Sequence, residues 1–158
     1  VPGALALPAL AGAQAPAEWR VGCLFTLGSL LGDEAMRGVE LAAEERNAQG
    51  GVAGRLLRLV RADAGDAAQG LAEARRLLQG ERCALLLGAV TAPLALAAAQ
   101  AADAAEVPFV ELAVTAETLT DRGFRHLLRT GSRAADFGTM TTTVLLRLLA
   151  PELAQPAD

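Results

Sequence analysis

The sequence predicts an α/β domain built on a mostly parallel sheet that is flanked by helices. Short apolar runs alternate with segments of helical periodicity, at a spacing typical of βα units with right-handed crossovers. Two of the helical segments are followed directly by glycine, a residue that commonly ends a helix. Residues 83–88 are apolar throughout, which predicts a strand buried on both faces of a parallel sheet.

The first half of the chain contains two strand–helix pairs. Residues 20–26 are an apolar run before a glycine-containing turn and are predicted as the first strand. Residues 33–49 follow as a helix, with acids in the first turn and a Gly-Gly pair after the last. Residues 55–61 predict the second strand, and Asp66 is suited to cap a second helix that runs to Gln79.

The second half of the chain continues the alternation after the strand at residues 83–88. An alanine-rich helix is predicted over about residues 91–105, followed by strands at residues 107–110 and 124–130 with a polar loop between them. The last helix is predicted over residues 134–149. Its apolar side consists of Phe137, Met140, Val144 and Leu148.

Composition narrows the classes of function. The 158 residues suit one domain, and 53% of them are hydrophobic, so the chain can bury a core. The formal net charge of −4 gives no basic footprint for nucleic acid, which is not an expected partner. All 14 basic residues are arginine, and without lysine neither a phosphate-binding loop of the GxxxxGK type nor a Schiff-base lysine is available.

The residues that usually carry catalysis or metal binding are sparse. Cys23 and Cys83 form no CxxC pair, so we predict two buried thiols and no zinc or thioredoxin-like site. His126 is the sole histidine, and no nucleophile motif surrounds it. No metal-ligand cluster or pair of catalytic carboxylates emerges, so the pattern favours binding over catalysis and predicts no metal and no cofactor.

The first fifteen residues resemble the end of a secretory signal peptide. Residues 1–15 are apolar, small and uncharged, and they contain two A-x-A cleavage sites, of which we prefer cleavage after Ala13. The alternative is a flexible Ala/Pro-rich tail. The run is too short to span a bilayer, so no membrane insertion of the mature chain is expected.

Three loops follow strands at the edge where a parallel sheet binds its ligands, namely residues 27–32, 88–93 and 111–120. The first reads GSLLG and lacks the third glycine of a dinucleotide fingerprint. The second opens a helix, whose free N–H groups suit an anion such as a carboxylate. In it, Thr91 either adds a hydroxyl to that site or only caps the helix.

The third loop offers both hydrogen-bond donors and acceptors. Thr115 can donate to a carboxylate, and backbone carbonyls near Ala113 can accept from an ammonium group. The alternative for Thr115 is an ordinary turn residue. Glu111 is expected to add an acid at the same rim.

Several blocks, in this order, resemble the periplasmic substrate-binding proteins of branched-chain amino-acid ABC transporters. The block at residues 47–55, NAQGGVAGR, is similar to the family's N-A-x-G-G-V-x-G-R. Weaker blocks are residues 20–26, 36–42, 63–68, 88–92, 107–109, 115–120 and 124–130. The resemblance covers about residues 19–149.

The resemblance implies the first lobe of a type I periplasmic-binding-protein fold, incomplete in this sequence. Such proteins fold as two α/β lobes that close on a ligand by hinge motion. Residues 18–130 would form most of the first lobe, and residues 131–158 would start a truncated second lobe. The implied function is capture of an amino acid or similar small polar molecule in the periplasm, for delivery to an ABC transporter permease.

The resemblance also implies ligand-binding residues. Thr91 and Ala92 would hold the ligand carboxylate, although the family's serine falls at Ala92. Ala113 and Thr115 would hold the carboxylate and the ammonium jointly. Ser29 is a further implied contact, in a first loop that is shorter than the family's usual one. Glu111 stands where the family tends to have a small residue, and its charge would favour a cationic or polar ligand over an acidic one.

Two other classes of function remain as alternatives. The same fold serves in regulatory sensors of amides or amino acids, which bind a partner protein; the leader-like start argues against these. A flavodoxin-like or dinucleotide-binding enzyme is a third interpretation. The missing glycine fingerprint, the missing lysine and the single histidine argue against it.

Overall fold

The computed structural model describes residues 18–150, so the predicted leader at residues 1–15 and the end of the last segment lie outside the described residues. The architecture is the predicted one, an α/β domain around a five-stranded parallel sheet. The strands in chain order, β1 to β5, are Glu18–Phe25, Leu56–Asp63, Leu85–Gly88, Phe109–Glu111 and Leu127–Arg129. Their spatial order is β2-β1-β3-β4-β5.

The helices connect these strands in turn. In chain order, α1 to α5 are Leu30–Ala48, Ala67–Arg75, Ala92–Ala104, Thr118–Asp121 and Ala134–Val144. Two helices continue as a single wider turn, α2 through Arg76–Gly80 and α5 through Leu145–Leu149.

The structure corrects the prediction at several elements; β4 begins at Phe109 and β5 at Leu127, two and three residues later than expected. The helix α1 begins at Leu30 and not at residue 33, because the Ser29 side chain accepts from Gly32 N at 3.1 Å and caps the helix there. The strand β3 starts at Leu85, two residues later than expected from its apolar run. The polar loop after β4 contains the four-residue helix α4, which is too short to show helical periodicity in the sequence.

The two faces of the sheet are covered unequally. The helices α2, α3 and α4 pack on one face, where Leu86, Leu94 and Phe109 lie in the core. The helix α1 packs on the other face through Met36, against Val21, Cys23 and Phe25. Beside α1 that face retains an apolar hollow of about 620 Å³.

The strand β3 was predicted to be buried on both faces of the sheet, and because of this hollow it is fully buried on one face only. Leu86 points into the core and is fully buried, whereas Leu85 and Leu87 line the hollow and are half-buried. The apolar side of α5 is likewise uncovered among the described residues. The exposed fractions are 54% for Phe137, 67% for Met140, 40% for Val144 and 64% for Leu148.

The two cysteines are buried free thiols, as predicted. Burial raises the pKa of both, that of Cys23 to about 12. Among the described residues, no helix is long and apolar enough to cross a membrane.

Candidate functional site

The candidate site lies at the carboxyl edge of the central strands. Because β1 pairs with β2 on one side and with β3 on the other, the chain reverses its direction of winding between β1 and β3. Ligands of open α/β sheets bind at such a switch point. The loops after β1, β3 and β4 meet this edge, since the register places Leu24 beside Gly88 and Gly88 beside Glu111.

The loop after β1 is held by its own side chains. Leu27 N donates to Asp63 Oδ1 and Gly28 N donates to Asp33 Oδ1, each at 2.9 Å. The Ser29 hydroxyl donates to Thr26 O at 2.6 Å while it accepts from Gly32 N. The N–H groups of Leu27, Gly28 and Gly32 are therefore bonded within the chain. The Ser29 hydroxyl has donated its one proton, so it has none left for a ligand in this structure. A ligand contact by Ser29 stays a prediction.

The loop after β3 brings the start of α3 to the edge through strained backbone. Gly88 has φ of 143° and Ala89 has φ of 61°, the second in the left-handed region that disfavours a side chain. A Cβ on Gly88 would collide with the Leu24 carbonyl of β1. Ala89 is fully buried and donates its N–H to that carbonyl at 3.0 Å. Close packing against β1 thus fixes where the helix begins.

Thr91 occupies the N-cap position of α3, but its side chain makes no capping hydrogen bond. Thr91 therefore stands at the predicted cap position, but its hydroxyl does not cap the helix in this structure. Thr91 is exposed, and no described residue accepts the N–H of Ala92. An exposed hydroxyl and a free N–H thus stand together at the positive end of a 13-residue helix. This arrangement suits one carboxylate oxygen or two.

The loop after β4 presents the other half of the predicted site. Ala113 and Thr115 are exposed, while Val114 between them is buried. The backbone of Thr115 is fixed, because its carbonyl accepts from Ala134 N at 2.9 Å at the start of α5. Among the described residues, the Thr115 hydroxyl and the Ala113 carbonyl have no hydrogen-bond partner. A donor and an acceptor are therefore available to a ligand on this loop.

Glu111 does not lie at the rim, and the expectation that its charge faces the ligand is wrong. Its side chain is fully buried. Its Oε1 accepts from Ala113 N at 2.5 Å and from Val114 N, and its Oε2 lies 3.7 Å from Arg129 Nε. A buried carboxylate that is paired with a guanidinium gives the site no net charge. The expectation that the Glu111 charge favours a cationic or polar ligand is therefore not supported.

Arg129 is the residue of this region that sequence reasoning missed. Its side chain is 8% exposed, and its guanidinium donates to Val114 O and, at 3.1 Å, to Ala116 O. One signal was present in the sequence, because Glu111 and Arg129 are charged residues that close two successive apolar strands. Parallel pairing of those strands places the two residues side by side.

The lone histidine lies at the opposite edge of the sheet. His126 precedes β5, and its Nδ1 is 3.1 Å from Asp103 Oδ1. The same carboxylate oxygen accepts from Arg125 N at 2.8 Å. These hydrogen bonds lower the pKa of Asp103, that of Arg125 N contributing most. Within residues 18–150, no group of three His, Cys, Asp or Glu side chains is placed to hold a metal ion.

Comparisons with known proteins show the family of this chain. A family model described as periplasmic binding protein matches residues 18–146. "Leu/Ile/Val-binding protein homolog 7" of Brucella abortus (strain 2308) is 41% identical over 157 residues, which are 96% of this chain and 39% of that protein. The chain therefore spans about two fifths of this relative's length.

Solved structures share the fold. An ABC transporter substrate-binding protein from Desulfitobacterium hafniense in complex with Leu is 31% identical, with a TM-score of 0.75 over 81% of this chain and 38% of that one. The branched-chain amino acid transporter substrate-binding protein LivJ from Streptococcus pneumoniae, in complex with isoleucine, is 24% identical. Its TM-score is 0.73 over 84% of this chain and 39% of that one.

Proposed function

Because this chain belongs to the periplasmic binding protein family, we propose that it captures an amino acid as part of the substrate-binding receptor of an ABC transporter. The observation that carries the proposal is that two loops, which follow the neighbouring strands β3 and β4, have hydrogen-bonding groups without a partner among the described residues. The α3 start offers the Thr91 hydroxyl and the Ala92 N–H, and the β4 loop offers the Thr115 hydroxyl and the Ala113 carbonyl. Three donors and one acceptor match a carboxylate beside an ammonium group.

In the proposed complex the ligand carboxylate takes the α3 end. The Ala92 N–H and the helix dipole favour negative charge there, and the Thr91 and Thr115 hydroxyls add neutral donors. The ammonium group donates to the Ala113 carbonyl. The Ala92 N–H and the Ala113 carbonyl belong to the backbone, so among these groups binding orders only the side chains of Thr91 and Thr115.

We propose an uncharged aliphatic side chain for the ligand. The burial and pairing of Glu111 remove its charge from the ligand side of the β4 loop, which supports a neutral ligand. The names of two similar proteins support the same class, since one is called a Leu/Ile/Val-binding protein homolog and the other was solved with Leu.

The remaining parts of the proposal follow from the family. Residues 18–130 would form most of one lobe, and α5 with the residues after it would enter a second lobe that completes the cleft. The receptor would work in the periplasm and deliver its ligand to a permease. The exposed apolar side of α5 supports a covering segment outside the described residues.

Calorimetry on the full-length gene product tests the proposal. The protein is unfolded, dialysed to remove any ligand carried from the cells, refolded and titrated with L-leucine, L-isoleucine and L-valine. L-arginine and L-glutamate serve as charged controls. We expect micromolar or tighter binding of at least one aliphatic amino acid and weaker binding of both charged ones. Failure of all three aliphatic amino acids to bind would contradict the proposed ligand class, and failure of the remaining common amino acids, titrated next, would contradict the receptor role.

A further inference from the structure

Glu111 and Arg129 form a buried ion pair directly beneath the β4 loop. They end neighbouring parallel strands and stand side by side in register. Glu111 is fully buried and the Arg129 side chain is 8% exposed. Neither side chain is therefore free to contact a ligand. The pair must act in some way other than direct recognition of the ligand.

Both side chains hydrogen-bond to the backbone of the same loop, and Arg129 Nη1 also donates to Thr120 Oγ1 at 3.4 Å. Glu111 Oε1 accepts from the N–H groups of Ala113 and Val114. The two NH₂ groups of Arg129 donate to the carbonyls of Val114 and Ala116. Val114 is thus held from both of its peptide groups, and the inner side of the loop is bonded while the Ala113 carbonyl and the Thr115 hydroxyl stay free.

We infer that Glu111 and Arg129 are positioning residues, which hold the β4 loop in the geometry that binds ligand; the inference rests on the proposed function. The loop cannot shift its inner N–H and C=O groups without breaking hydrogen bonds to buried charges, which is costly. The outer groups are therefore preorganised before ligand arrives. A planar guanidinium reaches two carbonyls at once, which the single ammonium of lysine does not.

The variant Arg129→Lys separates positioning from mere stability. Lysine keeps the positive charge opposite Glu111 but loses the fork that reaches both carbonyls. Glu111→Gln is the second variant, which keeps one acceptor oxygen for the loop and removes the charge. The matched control is Asp103→Asn, since Asp103 also accepts two backbone N–H bonds, from Arg125 and His126, but at the opposite edge of the sheet.

The experiment measures two quantities on the full-length gene product well below its melting temperature. Calorimetry with the aliphatic amino acid that the parent binds gives Kd, and amide hydrogen exchange of residues 112–117 without ligand reports the loop. We expect Arg129→Lys and Glu111→Gln to raise Kd at least tenfold and to speed exchange at Ala113 and Val114. Asp103→Asn is expected to lower the melting temperature with Kd unchanged.

The outcomes distinguish this inference from the proposed function. Unchanged Kd and unchanged exchange in Arg129→Lys, with a parent that binds, would overturn the positioning role and leave the proposed function standing. A Kd that rises equally in Asp103→Asn would also overturn it, because general destabilisation would then explain the loss. A parent protein that binds no amino acid would contradict the proposed function and, with it, the ligand-positioning role. Faster amide exchange in Arg129→Lys would then show only that the ion pair stabilises the loop.

Discussion

The side chain of Asn47 bonds both backbone groups of Leu57. Its Oδ1 accepts from Leu57 N at 2.7 Å, and its Nδ2 donates to Leu57 O at 2.9 Å. The last turn of α1 is thereby tied to the start of β2 across a glycine turn. In that turn Gly51 has φ of 77° and sits against the Arg55 carbonyl, where a Cβ would collide. The NAQGGVAGR block is therefore explained by folding and not by ligand contact.

Replacing Asn47 is expected to destabilise the fold without a direct effect on the ligand loops. Asn47→Ala removes two hydrogen bonds and leaves the Leu57 N–H and carbonyl without these partners, at a cost of about 1–3 kcal/mol. Urea unfolding followed by circular dichroism measures the change. Glu45→Ala, an exposed substitution in the same helix turn, is the control and should stay within ~0.5 kcal/mol. Equal stability of the two variants would show that the clamp contributes nothing.

Two hydroxyl residues at helix starts should differ in how much stability is lost when each is replaced by alanine. Ser29 caps α1 through its side chain, so Ser29→Ala should destabilise the domain by about 1 kcal/mol. The Thr91 hydroxyl makes no such bond, so Thr91→Ala should change stability by less than ~0.5 kcal/mol. Thermal unfolding of both variants against the parent measures the contrast. A larger loss for Thr91→Ala would mean that its hydroxyl caps α3 in solution.

The sequence was sufficient for the architecture because strand and helix periodicities are local signals. Asp66 illustrates this, since it caps α2 as predicted, with its Oδ1 accepting from Gln69 N at 2.8 Å. The helix α4 was missed because one turn of four residues carries no period. The start of α1 was misplaced because the Ser29 cap, four residues before Asp33, competes with the acids as a start signal.

The site was less predictable because its decisive contacts are long-range. Glu111 was expected at the rim, since nothing within its own strand shows that Arg129, 18 residues later, lies beside it. Thr91 was ambiguous for a related reason. A threonine at a helix start is equally consistent with a cap and with a free hydroxyl, and only the observed hydrogen bonds separate the two.

The exposed hydroxyl of Thr115 gives a direct test of the ligand-facing side of the β4 loop. Thr115→Ala removes a donor that has no partner among the described residues, so stability should stay within ~0.5 kcal/mol. Ligand binding should weaken by about 1.5–3 kcal/mol, the contribution of one hydrogen bond to a charged group. Calorimetry measures the change, with Thr118→Ala at the exposed start of α4 as control. Equal affinities for both variants would remove Thr115 from the site.

The buried thiols should give this protein an unusual loss of stability in alkaline solution. Burial raises the pKa of Cys23 to about 12, with the neighbouring Cys83 adding to the effect. A cysteine in the unfolded chain has a pKa of about 8.5. The folded state therefore favours the protonated thiol, and this contribution is fully present below about pH 8.5. It is lost as the pH rises from there towards 12, by up to ~1.4 kcal/mol per pH unit for one thiol.

The composition makes this effect measurable. Because the sequence has no lysine and no tyrosine, cysteine is the side chain expected to titrate between about pH 8.5 and 10.5. Urea unfolding at pH 7.5, 8.5, 9.5 and 10.5, with reductant present, should show the free energy of unfolding falling in the parent. The slope should be shallower in Cys23→Ala, which retains only the contribution of Cys83. Parallel curves for parent and variant would show that Cys23 is not protected from ionisation in the folded state.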